Sequence, residues 1–435
     1  MIRALGILAL AAVATTGAAR PAVAQAWLRW EQNARVLALG GAGAGLADDA
    51  SAVFFHPAGI THLFGSQAQI GGALAAGSAR FNAFGAADAE QEDRAEFDGA
   101  LYLTHAVAAR VTAGLAVNSP WGLEASWENP DAFVGRFRAT ESRLGSVLFN
   151  PVLAWQLDPA WSVAAGIDVL HATFDLARLE QDPAISAFGG GGPLALARAR
   201  LNLDGTGIGW NAAVAYHPSS TLAAGLQYRD EIAVNFNGVA AFTIVAPADL
   251  RPFPRPGHDQ TIGAFLDATF VPQTTRTALV FPRQAALGAT WAPFDRWRVA
   301  AELQWVQWSA ADGLLLAFAD TTLADTMAFD FHDVWTLRAG VEYRLRPDLL
   351  ARLGVARRPS PAPARAVTPL LPDADRLSLS TGIGYTWNLI DIDLGYRLTL
   401  LDDRQGAAFP GPPAADGVYA SLEHDLALSI SRPFE

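Results

Sequence analysis

The sequence predicts an all-β protein, a transmembrane antiparallel β-barrel of about 14 strands with an N-terminal hatch domain inside its lumen. Three observations predict this fold. Apolar and polar residues alternate over long segments, and short and long connections alternate between those segments. Hydrophobic residues make up 51% of the chain, yet no apolar run after the N-terminus is long enough for a helix to cross a membrane. Strands are then the remaining way to span a bilayer.

Residues 1–24 have the pattern of a secretory signal peptide. Arg3 gives the positive start, residues 5–13 form a short apolar core, and Ala22 to Ala24 read as an A-x-A cleavage site. We therefore expect an exported protein whose mature chain begins at Gln25.

The alternation is clearest late in the chain. Over 335–345 the apolar positions are Trp335, Leu337, Ala339, Val341, Tyr343 and Leu345. A period of two places them on one face of a strand. Many segments run to eleven residues or more, whereas strands of soluble sheets run to about 5–6 residues and tilted membrane strands need about 9–11. The predicted strands are 67–81, 96–107, 111–122, 142–157, 161–179, 197–217, 221–242, 281–292, 297–316, 333–345, 349–359, 376–388, 390–400 and 417–434.

The connections give an independent indication. Short turns such as 158–160 and 346–348 alternate with longer segments such as 123–141 and 243–280. Outer-membrane barrels have this layout, with short periplasmic turns and long extracellular loops. An even number of strands places both termini in the periplasm. Residues 67–435 are therefore predicted to form the barrel.

Composition and motifs argue against several other functions. A net charge of −12 disfavours a nucleic-acid partner. The chain has no cysteine, and His56 and His62 lack a third ligand nearby, so no metal site is predicted. Asp48 and Asp49 fit a turn or helix cap better than a cation site. No G-x-S-x-G motif occurs, so we expect no enzyme and no catalytic residue.

Residues 25–66 precede the barrel and are rich in small residues. Gly41 and Gly43 begin a possible dinucleotide loop, but Leu46 stands where the third glycine would be, and no P-loop lysine exists. No cofactor is therefore predicted. Small residues allow one backbone to pack closely against another. Because a wide barrel leaks unless its interior is filled, we expect residues 25–66 to fold into the lumen as a hatch.

The motif LGGAGAGLADDASAVFFHPAGI at 39–60 resembles the hatch motif of the FadL family, outer-membrane transporters of long-chain fatty acids and other hydrophobic compounds that include the TodX-like members. NSPWGLEASW at 118–127 and LLPDADRLSLSTGIGY at 370–385 also resemble family segments. The family places asparagine where this chain has His56, so the contacts of that turn are expected to differ. The matching hatch residues are Gly43, Gly45, Asp49, Ser51, His56, Pro57, Ala58 and Gly59.

The resemblance implies passive uptake across the bacterial outer membrane. Extracellular loops capture the ligand, the hatch moves, and the ligand leaves laterally where the third strand is kinked. Here that strand runs into Asn118, Pro120, Trp121 and Gly122. Proline lacks the donor that a strand ladder needs, and glycine weakens strands. A strand that simply ends in a turn explains these residues equally well.

The ligand class stays open at this point. A carboxylate head group needs an arginine partner, and Arg229, Arg298, Arg338 and Arg397 lie at polar positions of predicted strands. A neutral aromatic or aliphatic hydrocarbon, taken up by the same mechanism, needs none. The other alternative is a general porin or structural barrel. The expected partners are a hydrophobic small molecule, outer-membrane lipid and lipopolysaccharide, and the barrel-assembly machinery, with the protein itself a monomer.

Overall fold

The structure is a computed structural model that describes residues 27–434 except 93, 189–191 and 408–415. The predicted signal peptide, 1–24, lies outside the described residues. Within the described chain, no helix is both long enough and apolar enough to cross a membrane.

Fourteen antiparallel strands form a closed barrel, which confirms the predicted fold class and strand number. Each strand pairs with the next, and the last strand pairs with the first, from Ser66 opposite Phe434 to Ala83 opposite Gly417. The strands are β1 Ser66–Ala83, β2 Ala95–Ala108, β3 Val111–Asn118 with Leu123–Ser126, β4 Glu141–Gln156, β5 Trp161–Glu180, β6 Ala197–Ser219, β7 Leu222–Arg229 with Ile232–Ile244, β8 Gln273–Phe281 with Gln284–Phe294, β9 Trp297–Val306 with Gly313–Phe318, β10 Val334–Arg346, β11 Leu349–Arg358, β12 Arg376–Trp387, β13 Ile390–Leu401 and β14 Asp416–Phe434.

Short elements lie before the first strand and in the longer connections. The helices are α1 Ala34–Ala38, α2 Ala52–Phe55, α3 Pro183–Phe188 and α4 Ile262–Thr269. The 3-10 helices are Pro57–His62, Ala248–Leu250, Trp308–Ala310, Thr321–Leu323 and Ala364–Ala366. The short strands Ala89–Glu90, Asp325–Ala328 and Arg404–Ala407 extend the wall at the rim of the long loops.

The two faces of the wall have opposite chemistry. On β10, Trp335 and Leu337 are 57% and 61% exposed on the outside, whereas Thr336 and Arg338 are buried on the inside. This arrangement reverses that of a soluble protein, because the apolar face contacts lipid and the polar face lines the lumen. Aromatic pairs lie near the short turns, for example Trp161 with Tyr216, whose ring centroids are 4.4 Å apart.

The predicted alternation of connections is confirmed. The turns between β2 and β3, β4 and β5, and each later even-to-odd pair contain two to four residues, while the remaining connections are long. All the short turns lie at one rim of the barrel, where the chain also enters at Ser66 and reaches Phe434.

Most predicted strand bounds are right to within two residues, but three strands differ by more. β3 stops at Asn118 and resumes at Leu123, and β9 stops at Val306 and resumes at Gly313. The assignment of 243–280 to a loop was wrong at its end, because β8 begins at Gln273. The first outward positions of this added stretch, Thr274 and Arg276, are polar, so the apolar alternation used to find strands is missing at its start.

Candidate functional site

Residues 27–65, here called the N-terminal segment, lie inside the barrel and are largely buried. Two of its glycines contact the inner wall directly. At Gly40, which has a φ of +72°, an added Cβ would lie 2.7 Å from the carbonyl oxygen of Val355 on β11. At Gly45 an added Cβ would lie 2.7 Å from the backbone of Ala289 on β8. The small residues therefore allow the segment to pack backbone against backbone.

Glu31 connects the N-terminal segment to three arginines of the wall. Its carboxylate lies 3.1 Å from Arg358, 2.5 Å from Arg397 and 3.9 Å from Arg338. Burial alone would raise the pKa of Glu31, but the three guanidinium groups outweigh burial and hold this pKa well below its usual range. Glu31 is therefore ionised and balances several buried positive charges.

A second ion-pair group forms around Asp48. Arg35 contacts Asp48 at 2.8 Å and Glu342 of β10 at 3.2 Å, and Arg298 of β9 also pairs with Asp48. Burial opposes ionisation, but Arg35 and Arg298 lower the pKa of Asp48 well below its usual value. Asp49 accepts hydrogen bonds from the backbone N and hydroxyl of Ser51 before α2.

Glu302 of β9 holds the glycine motif itself. Its carboxylate accepts hydrogen bonds from the backbone N–H groups of Gly43 and Ala44, at 2.8 and 2.7 Å. The other oxygen of Glu302 accepts from Arg338 at 2.8 Å. A buried carboxylate thus bridges the wall and the N-terminal segment.

His56 lies at a turn of the N-terminal segment and is fully buried. Neither ring nitrogen has a hydrogen-bond partner, and the ring packs against Gly59 and against Gly225 of β7. Burial, followed by the nearby His217 and His62, lowers the pKa of His56 to about 3. Its ring is therefore neutral at neutral pH. Pro57, Ala58 and Gly59 follow in the 3-10 helix Pro57–His62.

Two further histidines, His62 and His217, lie near His56. The rings of His62 and His217 are close, with centroids 3.9 Å apart. Among the residues that the structure describes, no group of three or more histidine and acidic side chains is arranged to hold a metal ion.

The four arginines proposed as carboxylate partners all lie inside the barrel, but each contacts a carboxylate of the protein. Arg229 pairs with Asp168 of β5 and also lies over the ring of Phe54, 4.8 Å from its centroid. Arg397 pairs with Asp425 of β14 at 2.8 Å and with Glu31. Arg298 and Arg338 contact Asp48 and Glu302 as described above. The structure does not gather these arginines around one cavity.

The acidic partners were missed in the sequence, although a signal for two of them exists. Glu302 stands directly opposite Arg338, and Glu342 directly opposite Arg298, in the pairing of β9 with β10. Opposite charges at facing inward positions of neighbouring strands favour a cross-strand ion pair. Glu31 gave no such signal, because its partners lie more than 300 residues away.

Between its two parts, β3 turns into the lumen at residues 119–122. β2 pairs with β3 only from Leu101 opposite Val117 to Ala108 opposite Val111, so the residues of β2 before Leu101 have no β3 partner among the described residues. Asn118 is the last residue of the lower part of β3, and Trp121 is buried in the lumen.

The N-terminal segment fills this break. The backbone N of Arg29 donates to the carbonyl oxygen of Pro120, and that of Gly122 donates to Trp27, both at 2.8 Å. The guanidinium of Arg29 pairs with Glu96 of β2 and, at 2.7 Å, with Asp98. Residues 27–29 therefore connect β2 to β3 where the two strands do not pair.

Six aromatic side chains meet in the lumen behind this break. Trp27 lies 5.0 Å from Trp308, and Trp121 lies 5.4 Å from Phe281, measured between ring centroids. Each side chain is 7% exposed or less. Because the residues come from distant parts of the chain, no sequence pattern indicates that they meet. We call these residues the aromatic cluster: Trp27, Trp121, Phe281, Trp308, Phe329 and Phe331.

Comparisons with known proteins identify the family. The model of the family described as outer membrane protein transport protein (OMPP1/FadL/TodX) matches residues 15–407. The chain is 26% identical over 299 residues to the long-chain fatty acid transport protein of Salmonella typhi, and 24% identical over 309 residues to that of Escherichia coli K12. These alignments cover 65% of this chain and 65% and 66% of those relatives, just under two thirds of their length.

Solved structures agree in fold. A crystal structure of a Pseudomonas aeruginosa FadL homologue superposes with a TM-score of 0.79 at 19% identity, covering 97% of this chain and 100% of that chain. The Pseudomonas putida toluene transporter TodX superposes with a TM-score of 0.68 at 17% identity, covering 92% of this chain and 97% of that one. The family consists of transport proteins rather than enzymes. The chain is therefore a β-barrel protein of the bacterial outer membrane and belongs to the FadL/TodX family.

Proposed function

We propose that the protein is a passive outer-membrane channel for hydrophobic compounds. The ligand leaves the extracellular medium, reaches the aromatic cluster and then leaves sideways through the break in β3 once residues 27–29 move. The N-terminal segment is the hatch of this mechanism. The observation that carries the proposal is the position of the aromatic cluster directly behind the break, with Trp121 belonging to both.

This route suits an apolar ligand. Burial of apolar surface contributes about 25 cal/mol for each Å² removed from water. Exit through the wall would deliver the ligand into the bilayer without returning it to water. A porin needs a water-filled lumen, whereas the buried N-terminal segment occupies this one. That difference favours a channel with a movable hatch over a general porin.

Two ligand classes fit the aromatic cluster. Long-chain fatty acids are named for the Salmonella and Escherichia relatives, and toluene for TodX. Each of the four candidate arginines already contacts a carboxylate of the protein, for example Arg397 with Asp425 at 2.8 Å. Because these arginines are already paired, a neutral hydrocarbon is the second candidate ligand, beside a long-chain fatty acid. Association with lipopolysaccharide or the barrel-assembly machinery, and the monomeric state, stay predictions.

Uptake by a host that lacks its own transporter tests this function. Cells carrying the protein are given radiolabelled oleate or radiolabelled toluene, and the label inside the cells is compared with that in cells carrying an empty vector. We expect faster uptake of at least one compound. A stimulation limited to toluene selects the neutral ligand, and one limited to oleate selects the fatty acid. Equal uptake with and without the protein contradicts the proposed function.

A further inference from the structure

The wall has a second break, between β8 and β9. The two strands pair at Gln284 opposite Val306 and again at Arg276 opposite Ala317. Between these pairs, residues 277–283 of β8 face residues 307–316 of β9, so β9 carries three residues more than β8. One backbone hydrogen bond crosses the interval, from the N of Gln307 to the carbonyl oxygen of Arg283, at 3.0 Å.

No other strand fills this break among the residues that the structure describes. The upper part of β9 turns toward the short strand Asp325–Ala328, with Gly313 opposite Ala328 and Leu316 opposite Asp325. The hydroxyl of Thr277 and the indole N–H of Trp308 are buried beside the break without a hydrogen-bond partner. The break in β3 is different, because residues 27–29 close it.

Three apolar side chains line the inner edges of the second break, although polar residues such as Thr277 also lie there. Leu279 and Phe281 of β8 and Leu314 of β9 are buried on the inner face. Leu315, on the outer face, is 55% exposed. Since an apolar edge offers little to water or ions, it suits a hydrocarbon ligand.

The break lies at the outer boundary of the apolar band. Trp305 and Trp335 stand opposite each other on the outer face just below it, as in an interfacial aromatic girdle. Arg283 pairs with Glu231 at 2.6 Å beside it, in a group of charges on the outer face of β7 and β8. The lower edge of the break therefore lies where acyl chains meet head groups.

The same break leads to the aromatic cluster. The three additional residues of β9 form the 3-10 helix Trp308–Ala310, which turns into the lumen. The side chain of Trp308 is fully buried and contacts Trp27 edge-on, with centroids 5.0 Å apart, and Trp121 at 6.2 Å. One continuous set of aromatic rings thus joins the break in β3 to the break between β8 and β9.

We propose that the break between β8 and β9 is a second lateral opening, through which an apolar compound dissolved in the outer leaflet reaches the aromatic cluster. Unpaired strand edges are costly in a membrane, and a passing ligand together with interfacial lipid covers these ones. This inference rests on the proposed function. It adds a second entry route, from the outer leaflet, to the route through the extracellular loops.

Deletion of residues 308–310 tests the opening. The deletion leaves seven residues on each strand between the flanking pairs, so β8 and β9 can pair across the interval except at Pro282, which has no N–H to donate. The control is Trp308→Ala, which removes the same indole but keeps the three additional residues. Uptake of radiolabelled toluene and oleate by transporter-deficient cells is measured, together with hydrogen exchange of residues 277–281 in the purified proteins.

We expect the deletion to slow hydrogen exchange at 277–281 and to reduce uptake well below that of Trp308→Ala. Unchanged uptake by a deletion variant with slowed exchange overturns the second opening. Absence of uptake by the unaltered protein contradicts the proposed function instead, so the two failures are distinguishable.

A second pair of variants decides the matter if the deletion variant does not fold. Because the chain has no cysteine, Leu315→Cys and its control Leu337→Cys can each be modified with pyrene maleimide after folding. Both leucines are more than half exposed on the outer face, but Leu337 lies where β9 and β10 pair continuously. We expect modification to reduce uptake only at position 315, and equal uptake by the two modified variants overturns the proposal.

Discussion

His56 contributes shape rather than charge to the N-terminal segment. Its ring is enclosed by Gly59 and Gly225, and burial lowers its pKa to about 3. A proton on this ring would be buried without a partner, which is costly. A histidine at this position therefore does not create a charge switch near neutral pH.

Protonation of His56 should nevertheless lower the stability of the folded protein at acidic pH. The unfolded chain takes up a proton near the ordinary histidine pKa of 6.5, while the folded protein does so only near pH 3. Stability is therefore complete above 6.5 and is lost as the pH falls between these values. We expect a larger drop in the midpoint of thermal unfolding from neutral pH to about pH 4 for the wild type than for His56→Asn. The exposed His171→Asn is the control, and identical drops in all three proteins contradict this reading.

Glu302 is the side chain on which the glycine motif depends most. It binds the backbone N–H groups of Gly43 and Ala44 and pairs with Arg338. Removal of one partner of a buried ion pair costs about 3–5 kcal/mol. We expect Glu302→Ala to loosen the N-terminal segment and to produce ion conductance in planar bilayers. The control is Glu128→Ala, because Glu128 lies in the loop between β3 and β4. Equal conductance of the two variants would show that Glu302 does not hold the N-terminal segment in place.

Arg338 is not expected to distinguish a fatty acid from a neutral hydrocarbon. Because its guanidinium already contacts Glu302 and Gln304, it is not available to a ligand carboxylate. We expect Arg338→Ala to change the binding of palmitate and of hexadecane by the same factor in detergent. A selective loss of palmitate binding would restore Arg338 as a head-group partner.

At the scale of elements, the N-terminal segment and β3 act together. Residues 27–29 fill the break in β3, so the proposed lateral route requires these residues to move. The ion pairs of Arg29 with Glu96 and Asp98 oppose that movement, and hydrogen bonds to charged groups contribute about 1.5–3 kcal/mol each.

We expect Arg29→Ala to favour the open state and to increase the initial rate of toluene uptake. Arg94→Ala is the matched control, because Arg94 pairs with Glu92, Glu124 and Glu141, none of which belongs to the N-terminal segment. An increase in both variants, or in neither, would show that Arg29 does not control this opening.

The N-terminal segment should also be the barrier to ions. Deletion of residues 25–64, with residues 1–24 retained for export, removes the chain that occupies the lumen. We expect the remaining barrel to form ion-conducting channels in planar bilayers, whereas the full chain conducts little. Equal conductance of the two proteins would contradict the role of the segment as a hatch.

For the whole molecule, the strands and connections of the barrel could be predicted because its outer face contacts lipid. Contact with acyl chains requires an apolar residue at every second position, as on β10 from Trp335 to Tyr343, so strands and connections can be read from the sequence. The residue types at inward positions depend instead on which part of the chain fills the lumen. Arg338 and Arg397 could be placed on the inner face, but their partner Glu31 could not be named, because it lies in a different part of the chain.

The breaks in the wall show the same limit. Proline and glycine at 120 and 122 indicated an interruption of β3, whereas nothing in 307–312 marked the break in β9. That break arises from a difference in length between neighbouring strands, which only their pairing reveals.

If uptake requires displacement of residues 27–29 from the break in β3, a disulfide that fixes these residues in the break should stop uptake. Leu28 and Trp121 face each other in an antiparallel bridge, a geometry that suits a disulfide in the Leu28→Cys/Trp121→Cys double variant. A control pair, Ala73→Cys/Ala427→Cys, joins β1 to β14. Uptake of toluene and oleate is measured before and after reduction. We predict that oxidation stops uptake only in the Leu28→Cys/Trp121→Cys variant and that reduction restores it. Equal uptake by the oxidised and reduced forms of this variant would show that uptake does not require movement of residues 27–29.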